Sequence, residues 1–337
     1  MFSNLSKLLF IFMLIISSFI CISSNSWLGA WIGLEMNLLS FIPLMNNNKN
    51  SLSNEASLKY FLTQALASII LLFVICINFI NNNYFSMMFF NEFYLLILNS
   101  SLLLKIGAAP FHFWFPSIMD SMNWLNNLLL MTWQKINPFI CISYCFYPKF
   151  MMIIAIFSII IGSLGGLNNT SLRKIMAFSS ISHIGWLMMA LTSSELNFWF
   201  YFLFYSLISI SLIMCFSYLK LMHINQMLTN SFSSMMKFSI FLNLFSMGGL
   251  PPFLGFIPKW MVVETLINKQ MFLMTFLMVM FTLMTLYFYL RMAFSSIILN
   301  NLQMYWKINF HNFKMNIFMW NYFSMMFFPL IFFMFMT

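Results

Sequence analysis

Charge is what this sequence has least of. Of its 337 residues, 6% are Asp, Glu, Lys or Arg, and six of them are acidic. A water-soluble domain carries about 25% charged residues, so this chain has too little polar side chain to cover a surface facing water. Glycine and proline are also sparse, at 10 and 9 residues, which leaves long stretches free to be helical. The five cysteines, Cys21, Cys76, Cys141, Cys145 and Cys215, form no C-x-x-C pair and join no histidine cluster. They read as small buried apolar residues, not as ligands of zinc or an iron–sulfur cluster. The chain has no phosphate loop, no dinucleotide glycine fingerprint, no nucleophile elbow and no paired haem histidine motif. Those gaps argue against a redox or hydrolytic centre within it. The net charge of +9 is not a nucleic-acid signature either, because no basic patch is interleaved with aromatics in a soluble segment.

What the sequence has in abundance is apolar surface: 62% hydrophobic and 20% aromatic residues. The apolar runs are near 20 residues long and are separated by short polar links. That is the pattern of membrane-spanning helices, whereas an outer-membrane barrel alternates over about ten residues. Backbone groups in lipid have no water partner, and a helix satisfies them internally. The sequence predicts an all-α polytopic membrane protein with about eleven spans, near 5–24, 27–45, 56–80, 93–117, 122–146, 148–167, 172–193, 196–222, 237–263, 271–298 and 315–336. The polar links include 46–54, 81–83 and 299–314, none of them long enough for a soluble domain. The first apolar run, behind Lys7, lacks a small-x-small cleavage site and is expected to be a retained span.

Basic residues test the span count. With the N-terminus inside, Lys7, Lys49, Lys59, Arg173, Lys174, Lys220, Lys237, Arg291, Lys307 and Lys314 fall on or near the inner side, and only Lys149 and Lys269 fall outside. That asymmetry obeys the positive-inside rule and puts the C-terminus outside. Methionine, at 34 residues, accompanies abundant Phe, Ile and Asn and scarce Ala and Val, the bias of an AT-rich organelle genome.

The chain also repeats itself. Residues 107–116 read GAAPFHFWFP and residues 249–258 read GLPPFLGFIP; both fit G-x-x-P-F-x-x-[WF]-x-P at an offset of 142. The copies fall in spans four and nine. Five spans is an odd number, so they run through the membrane in opposite directions, as in an inverted repeat. This predicts one membrane domain over 1–337, with repeat one at about 1–146, repeat two at about 148–298 and an extra helix at about 315–336. Proline removes a helical hydrogen bond, so Pro110 in one copy, and Pro251 and Pro252 in the other, predict broken helices. Pro110 is expected to release the carbonyl of Ile106, and the later pair those of Met247 and Gly248. Such breaks persist where they face protein or water instead of lipid.

Against this apolar background Glu35, Lys105, Lys135 and Lys259 stand inside predicted spans. A charge at bilayer depth costs roughly 2.5–3.5 kcal/mol on the insertion scale and marks an ion or proton path by default. Lysine loses its proton readily when desolvated, which suits it to hold and release one. Snorkelling to the interface explains Lys59, Lys220 and Lys237, but Lys105 and Lys135 lie too deep for it. Glu35 is expected to pair with Lys105. His112 and His183 are possible relay groups, since imidazole accepts and donates at once; a satisfied core histidine explains either equally well. Ser179, Ser180, Ser182, Thr132 and Tyr144 are placed either to order water or to bond a nearby carbonyl.

Taken in order, SNSWLGAWIGLEMNLLSFIPL, NEASLKYFLTQALAS, LLKIGAAPFHFWFP, MTWQKINP, GGLNNTSLRKIMAFSSISHIGW and GGLPPFLGFIPKW cover residues 24–260. Together they resemble the NADH dehydrogenase subunit 2 family, the antiporter-like subunits of the membrane arm of mitochondrial respiratory complex I, in insect or arthropod form. The resemblance implies proton translocation from matrix to intermembrane space, coupled to NADH:ubiquinone oxidoreduction elsewhere in the complex. It implies Glu35 as the proton-path glutamate, Lys105 as the broken-helix lysine, Lys135 as the central lysine and Lys259 as the exit-side lysine. It also implies no cofactor in this chain, with FMN, iron–sulfur clusters and ubiquinone in partner subunits. The expected partners are other membrane-arm subunits and lipids, with no nucleic acid and no soluble substrate. The expected location is the mitochondrial inner membrane, N-terminus in the matrix and C-terminus in the intermembrane space. Two positions depart from the family pattern: Asn137 stands where a small residue is usual, and Ser121 near a usual glycine. A stand-alone cation/proton antiporter shares the repeats and charges and is the alternative. A non-conducting scaffold would leave three buried lysines unexplained.

Overall fold

Every described element is a helix, and three of the expected spans are made of two helices each. The computed structural model describes residues 5–46, 50–82, 92–229 and 234–298. The expected eleventh span, and Lys49, Lys307 and Lys314, lie outside them. The chain divides into two units, Met1–Ile154 and Ala155–Thr337.

The first unit opens with α1 (Leu5–Ser23), α2 (Trp27–Met45) and α3 (Ser51–Asn82). Ser26 starts α2 by accepting the Gly29 N–H at 3.3 Å, a side-chain cap on an otherwise orphan donor. α3 begins earlier than the sequence predicts, so the link before it is shorter. Span four is α4 (Glu92–Ile106) and α5 (Trp114–Ser121). Span five is α6 (Trp124–Met131) and α7 (Trp133–Tyr144). α7 packs against α1, α2, α4 and α6, which makes it the axis of this unit. Polar side chains fix the short pieces: Asn126 donates to the Leu44 carbonyl at 3.0 Å, and Asn127 to that of Met119 at 2.9 Å. Asn99 on α4 donates to the Cys145 carbonyl at 2.9 Å. The division between units falls inside α8 (Pro148–Leu167).

The second unit continues with α9 (Leu172–Ser193), α10 (Glu195–Leu219), α11 (Ile224–Thr229), α12 (Ser234–Gly248), α13 (Phe256–Asn268) and α14 (Phe272–Ile298). α9 is enclosed along most of its length, whereas α14 is largely exposed. Small residues set the contact of α8 with α9. A Cβ on Gly162 would come within 2.6 Å of the Ser182 nitrogen, and one on Gly185 within 2.7 Å of the Ala155 carbonyl oxygen. The backbones therefore touch, as small-xxx-small seams permit in lipid, where packing replaces the hydrophobic driving force. Large apolar side chains such as Phe12, Phe19, Ile69, Leu273 and Phe276 project outward, as a lipid-facing surface requires.

Seven of these helices are long and apolar enough to cross a membrane unaided. The split pairs α4/α5, α6/α7 and α12/α13 fall on the fourth, fifth and ninth expected spans.

Candidate functional site

The first half-helix closes in the same way in both copies of the proline motif, although the Ala109–Pro110 peptide bond is cis and its counterpart before Pro252 is not. α4 closes at Gly107 and α12 at Gly249, each with φ +80°, a left-handed conformation that glycine adopts without strain. In the first copy the N–H groups of Gly107 and Ala108 both donate to the Leu103 carbonyl, at 3.0 and 3.1 Å. In the second, those of Gly249 and Leu250 donate to Phe245, at 3.0 and 3.3 Å. These are C-terminal helix closures of the Schellman kind. Pro110 lies between α4 and α5, and Pro251 and Pro252 between α12 and α13. Prolines mark both breaks, as the motif predicts.

What satisfies the released carbonyls differs. At the first break the Trp114 indole donates to Leu104 at 3.1 Å, and the Gln64 amide reaches across from α3 to the Lys105 carbonyl at 3.2 Å. At the second, Lys259 Nζ donates to the Gly248 carbonyl at 2.8 Å and to that of Met247 at 3.3 Å. Lys259 belongs to the first turn of α13, so its ammonium fastens the second half-helix to the end of the first. A cation at a helix C-terminus also faces the negative end of the macrodipole. Lys105 sits in the last turn of α4 by its own position. Both broken helices thus carry a lysine at the C-terminal end of their first half. Gly255 allows the second break to fold so tightly: a Cβ there would overlap the Ser246 carbonyl oxygen.

All three span lysines are enclosed. Lys105, Lys135 and Lys259 are 7%, 1% and 8% exposed, so none reaches a lipid headgroup. Lys135 Nζ lies 5.4 Å above the Phe115 ring of α5, within cation–π range. Its helix carries a break that the sequence does not announce. The fifth span is divided at Thr132, whose φ −112° and ψ −73° interrupt the helix, and Lys135 stands in the first turn after it. No proline or glycine stands at the break itself. Pro138 follows inside α7.

Glu35 and Lys105 do not form the direct pair expected. Glu35 Oε1 accepts the Ser68 hydroxyl of α3 at 3.2 Å, while its Oε2 is buried with no hydrogen-bond partner. Lys105 nonetheless lies within electrostatic range of Glu35, and of Cys21 and Cys141. The reason is positional: α2 packs on α3, which offers the carboxylate a nearer hydroxyl. A longer polar chain, not foreseen, runs beside it. Tyr60 donates to Gln134 at 3.3 Å, and Gln134 donates to Asn37 at 3.1 Å, tying α3, α7 and α2 next to Lys135.

His112 lies within the first break, its Nδ1 3.2 Å from the Pro110 carbonyl and its ring 4.3 Å from that of Phe113. His183 is buried in α9 with Nδ1 2.9 Å from the Tyr201 hydroxyl, and its ring is 5.0 Å from that of Tyr205. Tyr201 is a partner the sequence did not single out. Ser179, Ser180, Ser182 and Thr132 each donate to a carbonyl three or four residues back, and Tyr144 to that of Ile22. Bonding a nearby carbonyl was one of their two expected roles. Four cysteines are buried as expected, but Cys76 is exposed. Cys21 and Cys141 meet at 3.5 Å, sulfur to sulfur.

Comparison with known proteins gives a consistent answer. Residues 24–285 match the family described as NADH:quinone oxidoreductase/Mrp antiporter, TM. The chain is 54% identical over 315 residues to NADH-ubiquinone oxidoreductase chain 2 of Anopheles gambiae, covering 92% of each. It is 46% identical over 301 residues to that of Locusta migratoria, covering 89% of this chain and 87% of the relative. Its fold resembles a chain of respiratory complex I from Thermus thermophilus with bound aureothin, at TM-score 0.79 and 22% identity, covering 87% of this chain and 71% of that one. It also resembles a chain of the Mrp complex from Dietzia sp. DQ12-45-1b, at TM-score 0.77 and 16% identity, covering 85% and 59%.

Proposed function

The chain belongs to the NADH:quinone oxidoreductase/Mrp antiporter family, alongside the chain 2 subunits of NADH-ubiquinone oxidoreductase, and from that premise we propose that it translocates protons in the membrane arm of respiratory complex I. Its setting is the mitochondrial inner membrane, among other membrane-arm subunits and lipid. Its exposed apolar side chains suit both kinds of neighbour.

The observation that carries this reading is the enclosure of Lys105, Lys135 and Lys259 within helices otherwise fit for lipid. Burying a cation is costly, and each of these three sits beside a helix break where backbone and polar side chains converge. We assign Glu35 the role of modulating Lys105, then Lys105 and Lys135 that of holding and passing the proton, with Lys259 on the exit side. His112 and His183 are the added relay groups. Protons pass from matrix to intermembrane space, with the N-terminus in the matrix and the C-terminus in the intermembrane space. The redox work, with FMN, iron–sulfur clusters and ubiquinone, belongs to partner subunits. The matching glycine closures at Gly107 and Gly249 support an inverted pair of five-helix repeats.

Lys105→Met and Lys135→Met keep the volume and remove the charge. In assembled complex reconstituted into vesicles, each is expected to lower the protons moved per electron while assembly survives. Normal pumping in either assembled variant would overturn the relay. The stand-alone antiporter is separated by purification: a complex I subunit leaves the membrane with flavin and iron–sulfur subunits, and an independent antiporter leaves without them.

A further inference from the structure

The Ser68 hydroxyl has one hydrogen and two acceptors. Its oxygen lies 3.2 Å from Glu35 Oε1 and 2.8 Å from the carbonyl oxygen of Ala65, three residues back in α3. A hydroxyl donates once but can also accept, so its hydrogen serves one of the two at a time. The Ala65 carbonyl lies inside α3, where the N–H four residues on already serves it. Glu35 has no such substitute. Its Oε2 is buried with no hydrogen-bond partner, so among the described residues Ser68 is the one donor this carboxyl has.

Ser68 is held where it stands. It is buried, and its helix is fastened to its neighbours by the same face. Tyr60, Gln64 and Ser68 follow one another at four-residue steps and lie one above the next along α3. Tyr60 donates to Gln134 Oε1 on α7 at 3.3 Å, and Gln64 to the Lys105 carbonyl on α4 at 3.2 Å. Those two bonds fix the height and rotation of α3, and the third step of the stripe meets Glu35 of α2. What remains free at Ser68 is rotation of the hydroxyl hydrogen.

We propose that Ser68 is a positioning residue for Glu35, a two-way hydroxyl that serves the carboxyl in both of its protonation states. With Glu35 charged, the serine hydrogen lies on Oε1, since a charged acceptor binds about twice as strongly as a neutral one. When Glu35 takes up a proton from the relay, an O–H bond forms on Oε1. The serine hydrogen then turns to the Ala65 carbonyl, and the serine oxygen accepts the new carboxyl hydrogen. Neither state leaves Oε1 without a partner, and the change needs only rotation about one bond. The inference rests on the place of Glu35 in the relay above and adds the group that lets it change charge in place.

Protons moved per electron by the assembled complex in vesicles test this. Glu35→Gln is expected to lower them, and Ser68→Ala to lower them by a comparable amount. Ser68→Thr keeps the hydroxyl and is expected to bring pumping back toward the native level. Ser68→Cys keeps the size but offers only a weak donor; it is expected to fall with alanine, and replaces it if the smaller residue harms assembly. The double variant separates positioning from packing. Ser68→Ala added to Glu35→Gln is expected to lower pumping no further, because a residue that acts through Glu35 has nothing left to position. A further fall in the double variant overturns the proposal. So does normal pumping in assembled Ser68→Ala or Ser68→Cys, or an assembled threonine variant that falls as far as alanine. If Glu35→Gln alone pumps normally, the parent reading of Glu35 has failed; if it falls and the serine series misses its outcome, this inference alone has failed.

Discussion

At the scale of single residues, the decisive contrast is between glycines that look alike in sequence. Gly248 and Gly249 are neighbours, but a Cβ on Gly248 meets nothing nearer than 3.5 Å, while one on Gly249 falls 2.8 Å from Lys259 Cδ at φ +80°. Gly249→Ala is expected to cost more than about 1 kcal/mol, since alanine resists positive φ, and Gly248→Ala less. The melting temperatures of the two assembled variants check the difference. Tyr201→Phe removes the hydroxyl beside His183 and is expected to cost about 1 kcal/mol, the worth of one hydrogen bond. The same melting experiment reads it. The burial of Lys105 and Lys135 was legible in the sequence, because a charge in the middle of an apolar run has nowhere else to go; that of Lys259, nearer a span end, was less so. The partners of Glu35 and His183 were not. Ser68 and Tyr201 are 33 and 18 residues away in sequence, and no local pattern selects one hydroxyl among many.

At the scale of elements, spacing settled the helices and chemistry settled two of the three breaks. Proline and glycine announce α4/α5 and α12/α13, and the matching motifs place a left-handed glycine at matching positions 142 residues apart. The division of the fifth span at Thr132 was hidden, because residues on both sides favour helix and the interruption depends on tertiary contacts. Asn127 bonds back to Met119, and Gln134 bonds across to Asn37. The α8–α9 seam is likewise invisible to hydropathy, since glycine adds little to either side of the scale. Gly185→Val is expected to force the two backbones apart and reduce the amount of assembled complex on a native gel. A large residue on an outward face of α14, such as Val279→Leu, is expected to leave it unchanged, as that position is exposed.

At the scale of the whole molecule, seven long apolar helices among the described residues suit a chain made for the bilayer. Many of its large apolar side chains are exposed, while Lys105, Lys135 and Lys259 are buried. Detergent extraction of this chain alone is expected to give aggregates, and extraction with its partners a stable particle; size-exclusion profiles compare the two. The family is fixed by similarity over nearly the whole length. The burial of the lysines follows from the fold.

Lys259 grips two backbone oxygens across a gap in its own span. A charged amine grips harder than a neutral one. In the proposed relay the same amine is also the clasp of a joint, and its hold on the two oxygens is expected to weaken when it gives up a proton. The proposed passenger is thus also the latch that fastens the two half-helices of this span.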